Sequence, residues 1–154
     1  MRYWTDGACY PNPGNGGWAV VDENGEVIAS GYEHDTTNNR MELMAVLMAC
    51  QHSPKGGFVY SDSSYAVDCV MKWYVGWLKN GKTVGKKNLD VIEKCYELVR
   101  NKSLTVSWIR RETHEMNQVA DEASKFMAQQ AYEEKNGISF PDDGWNIYSK
   151  WEKQ

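Results

Sequence analysis

Apolar and polar positions change in short bursts at the start of the chain and at helical spacing later on. Arg2 to Thr5, Gly17 to Val21 and Val27 to Tyr32 read as three brief strands. Their β-branched and aromatic residues are bounded by glycine-bearing stretches such as Asp22-Glu23-Asn24-Gly25. Connections this short predict an antiparallel meander. His34 to Asn39 is a polar loop, after which Met41, Met44, Ala45 and Met48 fall on one face of a helix over 41–51. Ser53-Pro54-Lys55-Gly56-Gly57 stops it. Phe58-Val59-Tyr60 is a buried-type strand ending at Ser61-Asp62-Ser63. A helix is expected from Ser64 to Trp73, then a second helical segment with Trp77 and a polar loop from Gly81 to Lys87. Leu89, Ile92, Tyr96 and Val99 mark a helix over 89–99, Leu104 to Ile109 a strand, Arg110 to Met116 a loop, and Asn117 to Glu134 a long helix.

Strands first, then strands alternating with helices, predict an α/β fold with a mixed sheet. The meander supplies its antiparallel half, and two later strands run parallel to the first through helical crossovers. Ligands in such sheets gather beyond the carboxyl ends of the parallel strands. Asp6 and Asp62 are both expected at such ends. Around Asp6, the stretch holding Asn12, Gly14, Gly16 and Gly17 reads as a turn bare of side chains, open to a large partner.

Composition narrows the class. The 154 residues, 42% hydrophobic and 25% charged, suit one globular domain over 1–136 followed by a tail over 137–154. In that tail Trp145, Tyr148 and Trp151 recur every third residue, as the face of a short helix packed back on the domain would. No apolar run approaches the roughly 20 residues of a membrane span, and no signal-peptide core opens the chain. Cys9, Cys50, Cys69 and Cys95 are scattered without zinc spacing, which reads as reduced thiols in a cytoplasmic protein.

The formal charge of −4 argues against a uniformly basic nucleic-acid binder, so charge matters by segment. Between residues 72 and 87 lie five lysines, Lys72, Lys79, Lys82, Lys86 and Lys87, and no acid. Trp73 and Trp77 sit one helical turn apart in the same stretch. A basic, tryptophan-bearing projection is an electrostatic footprint for a phosphate backbone. The run from Gly76 to Thr83 also matches the P-loop pattern, but a helical segment precedes it where the motif requires a strand. No nucleotide cofactor is expected there.

Four carboxylates stand at similar positions on different elements. Each has a purely structural explanation: Asp6-Gly7 as a hairpin dipeptide, Glu42 in an Asn39-x-x-Glu42 capping box, and Asp62 and Asp121 as favourable charges at helix N-termini. Together they would face one edge of a sheet, where mutual repulsion calls for cations. Oxygen ligands without clustered Cys or His select magnesium or manganese.

Thr5-Asp6-Gly7-Ala8-Cys9, Asn12-Pro13-Gly14, Gly16-Gly17-Trp18, the run Thr37 to Ala45, Ser61-Asp62-Ser63 and Ala120-Asp121-Glu122 resemble the type 1 ribonuclease H family over about residues 1–130. The resemblance implies a five-stranded ribonuclease H-like mixed sheet flanked by helices. It also implies magnesium-dependent hydrolysis of the RNA strand of RNA–DNA hybrids, giving 5′-phosphate and 3′-hydroxyl ends. Asp6, Glu42, Asp62 and Asp121 would be the catalytic, metal-binding carboxylates, holding two Mg2+ ions (Mn2+ as substitute) with substrate bound. We expect a monomer. A non-catalytic hybrid-binding module and a same-fold nuclease with another substrate are the alternatives. Cys9, Asn12, Asn38, Asn39 and Ser64 have the short polar side chains suited to a shallow minor groove lined with 2′-hydroxyls, and the resemblance places them, with Arg40, against the hybrid. The lysine-rich segment is similar to the family's basic handle and would hold the DNA strand through Trp73, Lys79, Lys82, Lys86 and Lys87.

One motif departs from the family pattern. The loop before the last helix carries His114, the candidate for the family's catalytic histidine, but only two residues separate it from Asn117. Arg111 or Glu112 is the alternative occupant of that place. His34 and His52 read as surface residues.

Overall fold

The computed structural model describes residues 1–111 and 113–140. Five strands form one sheet: β1 (Arg2–Tyr10), β2 (Gly14–Val21), β3 (Val27–Thr36), β4 (Phe58–Ser61) and β5 (Thr105–Trp108). Their order is β3-β2-β1-β4-β5, with β1 to β3 antiparallel and β4 and β5 parallel to β1. This is the expected mixed sheet, with β1 at its centre. The helices are α1 (Asn38–His52), α2 (Ser64–Asp68), α3 (Tyr74–Asn80), α4 (Leu89–Lys102) and α5 (Glu115–Asn136), with a π-helical stretch, Cys69–Trp73, joining α2 to α3.

Three strands are longer than periodicity predicts, β3 among them, since it runs on to Thr36 through most of what reads as a polar loop from His34. β1 continues to Tyr10 and β2 begins at Gly14, so the turn shrinks to Pro11-Asn12-Pro13 and the glycines belong to β2. Asp6 is therefore inside a strand. Pairing of β1 with β4 nevertheless stops at Thr5–Ser61, while pairing with β2 continues to Tyr10–Asn15. Asp6 thus lies one residue beyond the parallel part of the sheet, with no neighbouring strand on its β4 side.

The bare strand positions admit the helices. A Cβ on Gly7 would lie 2.4 Å from the backbone of Met41 and Glu42 in α1. A Cβ on Gly17 would lie 2.4 Å from Ser124 O and 2.5 Å from Ala128 N in α5. Gly7 is paired with Trp18, the neighbour of Gly17, so the two glycines face opposite sides of the pleat. Helix α1 packs on one face and α5 on the other.

The α1 side holds the main core, where Met41, Leu43, Val46, Val59, Val70 and Ile92 are almost wholly buried. Each such side chain contributes about 1.5–3 kcal/mol by leaving water. The α5 side holds a smaller cluster of Trp4, Val21 and Ala120. Thr37 caps α1, its hydroxyl accepting from the Arg40 N–H at 3.2 Å. This replaces the expected Asn39–Glu42 capping box, and Glu42 turns inward instead. At the other end Lys102 Nζ donates to Cys50 O, Gln51 O and Ser53 O at 2.8–2.9 Å, satisfying carbonyls a helix terminus leaves open.

Gly76 lies within α3, and Gly81 is its left-handed C-cap at φ 66°. The P-loop-like match is thus a helix and its terminus. The chain after α5 folds back briefly: Phe140 is buried, 4.8 Å from the Tyr10 ring and 5.1 Å from the Tyr132 ring, and its N–H donates to Glu133 at 2.7 Å. The aromatic series Trp145, Tyr148 and Trp151 lies outside the described residues. Among the described residues no helix is long and apolar enough to cross a membrane.

Candidate metal centre and nucleic-acid face

Three elements deliver carboxylates to one point. Asp6 comes from β1 and Glu42 from α1, and Asp62 follows the last residue of β4. One oxygen from each lies within 4.8 Å of the other two. The Gly7 N–H donates to Glu42 Oε1 at 2.5 Å and to Asp6 Oδ1 at 2.9 Å. That leaves Glu42 Oε2 and both Asp62 oxygens buried without a hydrogen-bond partner. Buried carboxylate oxygens without a hydrogen bond are costly, and three carboxylates with an oxygen each within 4.8 Å of one another suit a hard divalent cation. The donor set therefore fits magnesium or manganese.

Asp121 stands in the second turn of α5, because that helix begins at Glu115, two residues earlier than expected. Its carboxylate is outside the close group of three and meets Lys125 Nζ at 3.3 Å. It shares with Asp6 a cavity also lined by Cys9, Asn38 and Arg111.

Burial is the main cause of the unusual protonation here. It raises the Asp6 carboxyl well above its ordinary range, and the charges of Glu42, Asp62 and Asp121 add to the effect. Glu42 is pushed up to about 7, again chiefly by burial and then by Asp62, while Asp6 and the Gly7 N–H act in the opposite direction. Two carboxylates in contact hold a proton more tightly than either would alone. A cation at this point would reverse that preference.

Beside the carboxylates runs a strip of short polar side chains. Asn12 Oδ1 accepts from the Asn38 N–H at 3.1 Å, tying the β1–β2 turn to the start of α1. Asn12, Asn38 and Asn39 line a second cavity with Tyr65, Lys87 and Asn88. The Cys9 thiol donates to Pro11 O at 3.2 Å. Ser64 is exposed at the start of α2, next to the capping Ser63. Sequence reasoning missed Tyr65 and Asn88. Asn88 is held at φ 62° and donates to the Tyr65 hydroxyl at 3.2 Å. Its signal was available, as an amide directly after the lysine-rich loop.

Arg40 is differently placed. Its guanidinium forms a fork with Asp90 at 2.8 and 3.1 Å and meets Glu33 at 3.4 Å, joining β3, α1 and α4. Its charge is thus matched within the fold. Lys79, Lys82, Lys86 and Lys87 are exposed. Lys86 Nζ sits 4.9 Å over the Trp77 ring, and Trp73, 38% exposed, meets Tyr65 edge-on.

His114 is the N-cap of α5. Its Nδ1 accepts from the Met116 N–H at 3.1 Å, and its ring stacks on Trp4 at 4.7 Å. Arg111 instead reaches the acidic group, its Nε 3.4 Å from Asp62 Oδ2. Trp108 Nε1 donates to Asp62 O at 3.1 Å, fixing the backbone at that carboxylate. Glu112 lies outside the described residues.

The RNase H family model matches residues 1–129. A protein named Ribonuclease H from Rhizobium etli is 41% identical over 146 residues, covering 89% of this chain and 96% of the relative. One of the same name from Rhizobium johnstonii is 39% identical over the same shares. Another from Acetivibrio thermocellus is 39% identical over 132 residues, 81% of this chain and 90% of its own length. A family model across most of the chain, joined to this sheet order and carboxylate group, leads to one conclusion: the chain belongs to the RNase H family.

Proposed function

We propose that this chain hydrolyses the RNA strand of RNA–DNA hybrids, with divalent cations held by Asp6, Glu42, Asp62 and Asp121. The observation that carries the reading is the group of three buried carboxylates, three of whose oxygens have no hydrogen bond, set beside a strip of asparagines. Two Mg2+ ions, with Mn2+ as substitute, would supply an activated water and stabilise the leaving oxygen.

The chain's own residues account for the rest. Gly7 holds Asp6 and Glu42 in place, so the carboxylates are organised before any substrate arrives. Asn12, Asn38 and Asn39 present amides where 2′-hydroxyls of a shallow minor groove can be read. The exposed lysines offer a path for the DNA strand's phosphates, 2′-hydroxyls being absent there. Water adds to phosphorus in line with the 3′-oxygen, that P–O bond breaks, and the products carry 5′-phosphate and 3′-hydroxyl ends. We propose that the protein acts as a cytoplasmic monomer.

The test is incubation with labelled hybrid, duplex RNA and duplex DNA, in magnesium and then in chelator. Cleavage confined to the RNA of the hybrid and lost with chelator is expected. Cleavage of another duplex would mean a different substrate, and binding without cleavage would mean a non-catalytic module.

A further inference from the structure

We propose that Arg111 is the phosphate-binding residue of the loop before α5, and that without metal it serves as a resident counter-cation on Asp62. This rests on the hydrolytic reading above.

The geometry is specific to this loop. Asp62 is 2% exposed at its side chain and has no hydrogen bond to either carboxylate oxygen. Arg111 supplies the ionic contact it does have, at 3.4 Å. Arg111 itself is 72% exposed, so its long side chain can leave that contact with little loss of packing. All four carboxylates act on its charge, Asp62 most strongly.

Arg111 also stands where substrate would pass. With Asp121 it lines two cavities, one of which also includes Asp6. The other includes Asn117, which is buried and whose Oδ1 has no hydrogen-bond partner. A guanidinium matches two oxygens of a phosphate at once and keeps its charge across the working pH range. Unlike an imidazole, it does not exchange protons there. His114 is already engaged as a helix cap stacked on Trp4, so this loop places a fixed positive charge at the acidic site.

The role has a two-directional signature. Removing Arg111 takes away a competitor for Asp62, so Mg2+ binds more tightly. It also takes away a phosphate contact, so turnover falls. An exposed ion pair is worth about 0.2–1 kcal/mol, which converts to roughly 1.4- to 5-fold in affinity. A residue that merely held the loop would weaken both.

The experiment uses the full chain as wild type, Arg111→Ala, Arg111→Lys and His114→Asn, the last keeping a capping oxygen. Mg2+ affinity is measured by calorimetry without nucleic acid, and kcat and KM on labelled hybrid. We expect Arg111→Ala to bind Mg2+ about 1.4- to 5-fold more tightly. We also expect it to lose about 10- to 100-fold in kcat/KM, with Arg111→Lys intermediate and His114→Asn less impaired. Unchanged or weaker Mg2+ binding in Arg111→Ala, or a greater loss in His114→Asn, would overturn the proposal. Failure of the wild type to cut hybrid would instead overturn the hydrolytic reading itself.

Discussion

The backbone N–H of Gly7 lies 2.5 Å from Glu42 Oε1, and a Cβ on Gly7 would lie 2.4 Å from the Glu42 nitrogen. The absent side chain at Gly7 is what lets α1 approach closely enough for its glutamate to share a donor with Asp6. Gly7→Ala should therefore act on fold and site together. The clash is with backbone, which no rotamer relieves, so a loss of about 2–3 kcal/mol is expected in urea unfolding. The Mg2+ affinity of the folded fraction should fall as well. A variant with wild-type stability would show that α1 can shift without cost.

Asp6→Asn removes a charge and almost no volume, and Asn Oδ1 can still accept from Gly7. On hybrid in magnesium, a loss of at least about 10³-fold in kcat is expected. The fold should remain, as read by circular dichroism.

The same variant carries a pH signature without metal. Asp6 and Glu42 have folded pKa values above their unfolded ones, Glu42 near 7. The native state therefore binds more protons than the unfolded chain between about pH 4 and 7, and this part of the stability falls as pH rises through that window. Asp35, Asp90 and Glu134 are shifted down and act in the opposite sense, so the comparison must be between proteins. In chelator above pH 7, Asp6→Asn should be more stable than wild type by about 1–2 kcal/mol, and below pH 4 the difference should vanish. Equal stability at both pH values would refute the strained acidic site.

Divalent cations should restore what that repulsion removes. At 100-fold excess over Kd, Mg2+ should add about 2.7 kcal/mol, a rise of roughly 5–10 °C in Tm for a chain of this size. The rise should be larger at pH 8 than at pH 5, because protons and metal compete for the same oxygens. Calorimetry in magnesium and in chelator checks it.

Lys86→Ala with Lys87→Ala should weaken binding of uncleaved hybrid in chelator. It should also reduce the slope of log affinity against log salt by about 1–2. Lys86 also rests on Trp77, so an unfolding curve must accompany the titration. An unchanged slope would remove this segment from the DNA path.

Much of this arrangement was legible in the chain itself. Five strands, the long helices and their order follow from local periodicity and punctuation, because backbone pairing and side-chain burial act between near neighbours or repeat at fixed spacing. Position alone left each carboxylate with a structural explanation, and it was the resemblance of the surrounding motifs that singled out Asp6, Glu42, Asp62 and Asp121. Other features needed the fold, because they depend on contacts between residues distant in sequence. Glu42 reads locally as a cap and is instead drawn 35 residues back to Gly7. Arg40 looks available to substrate until Asp90 and Glu33 arrive from α4 and β3 to neutralise it. His114 matches a catalytic histidine by type, but its ring is held by Met116 and Trp4 while Arg111 reaches Asp62. Residue type and spacing can say which groups are fit for chemistry. Which of them stay free for it depends on the neighbours that tertiary packing brings alongside, since each charge or lone pair satisfied inside the fold is one fewer left for a ligand.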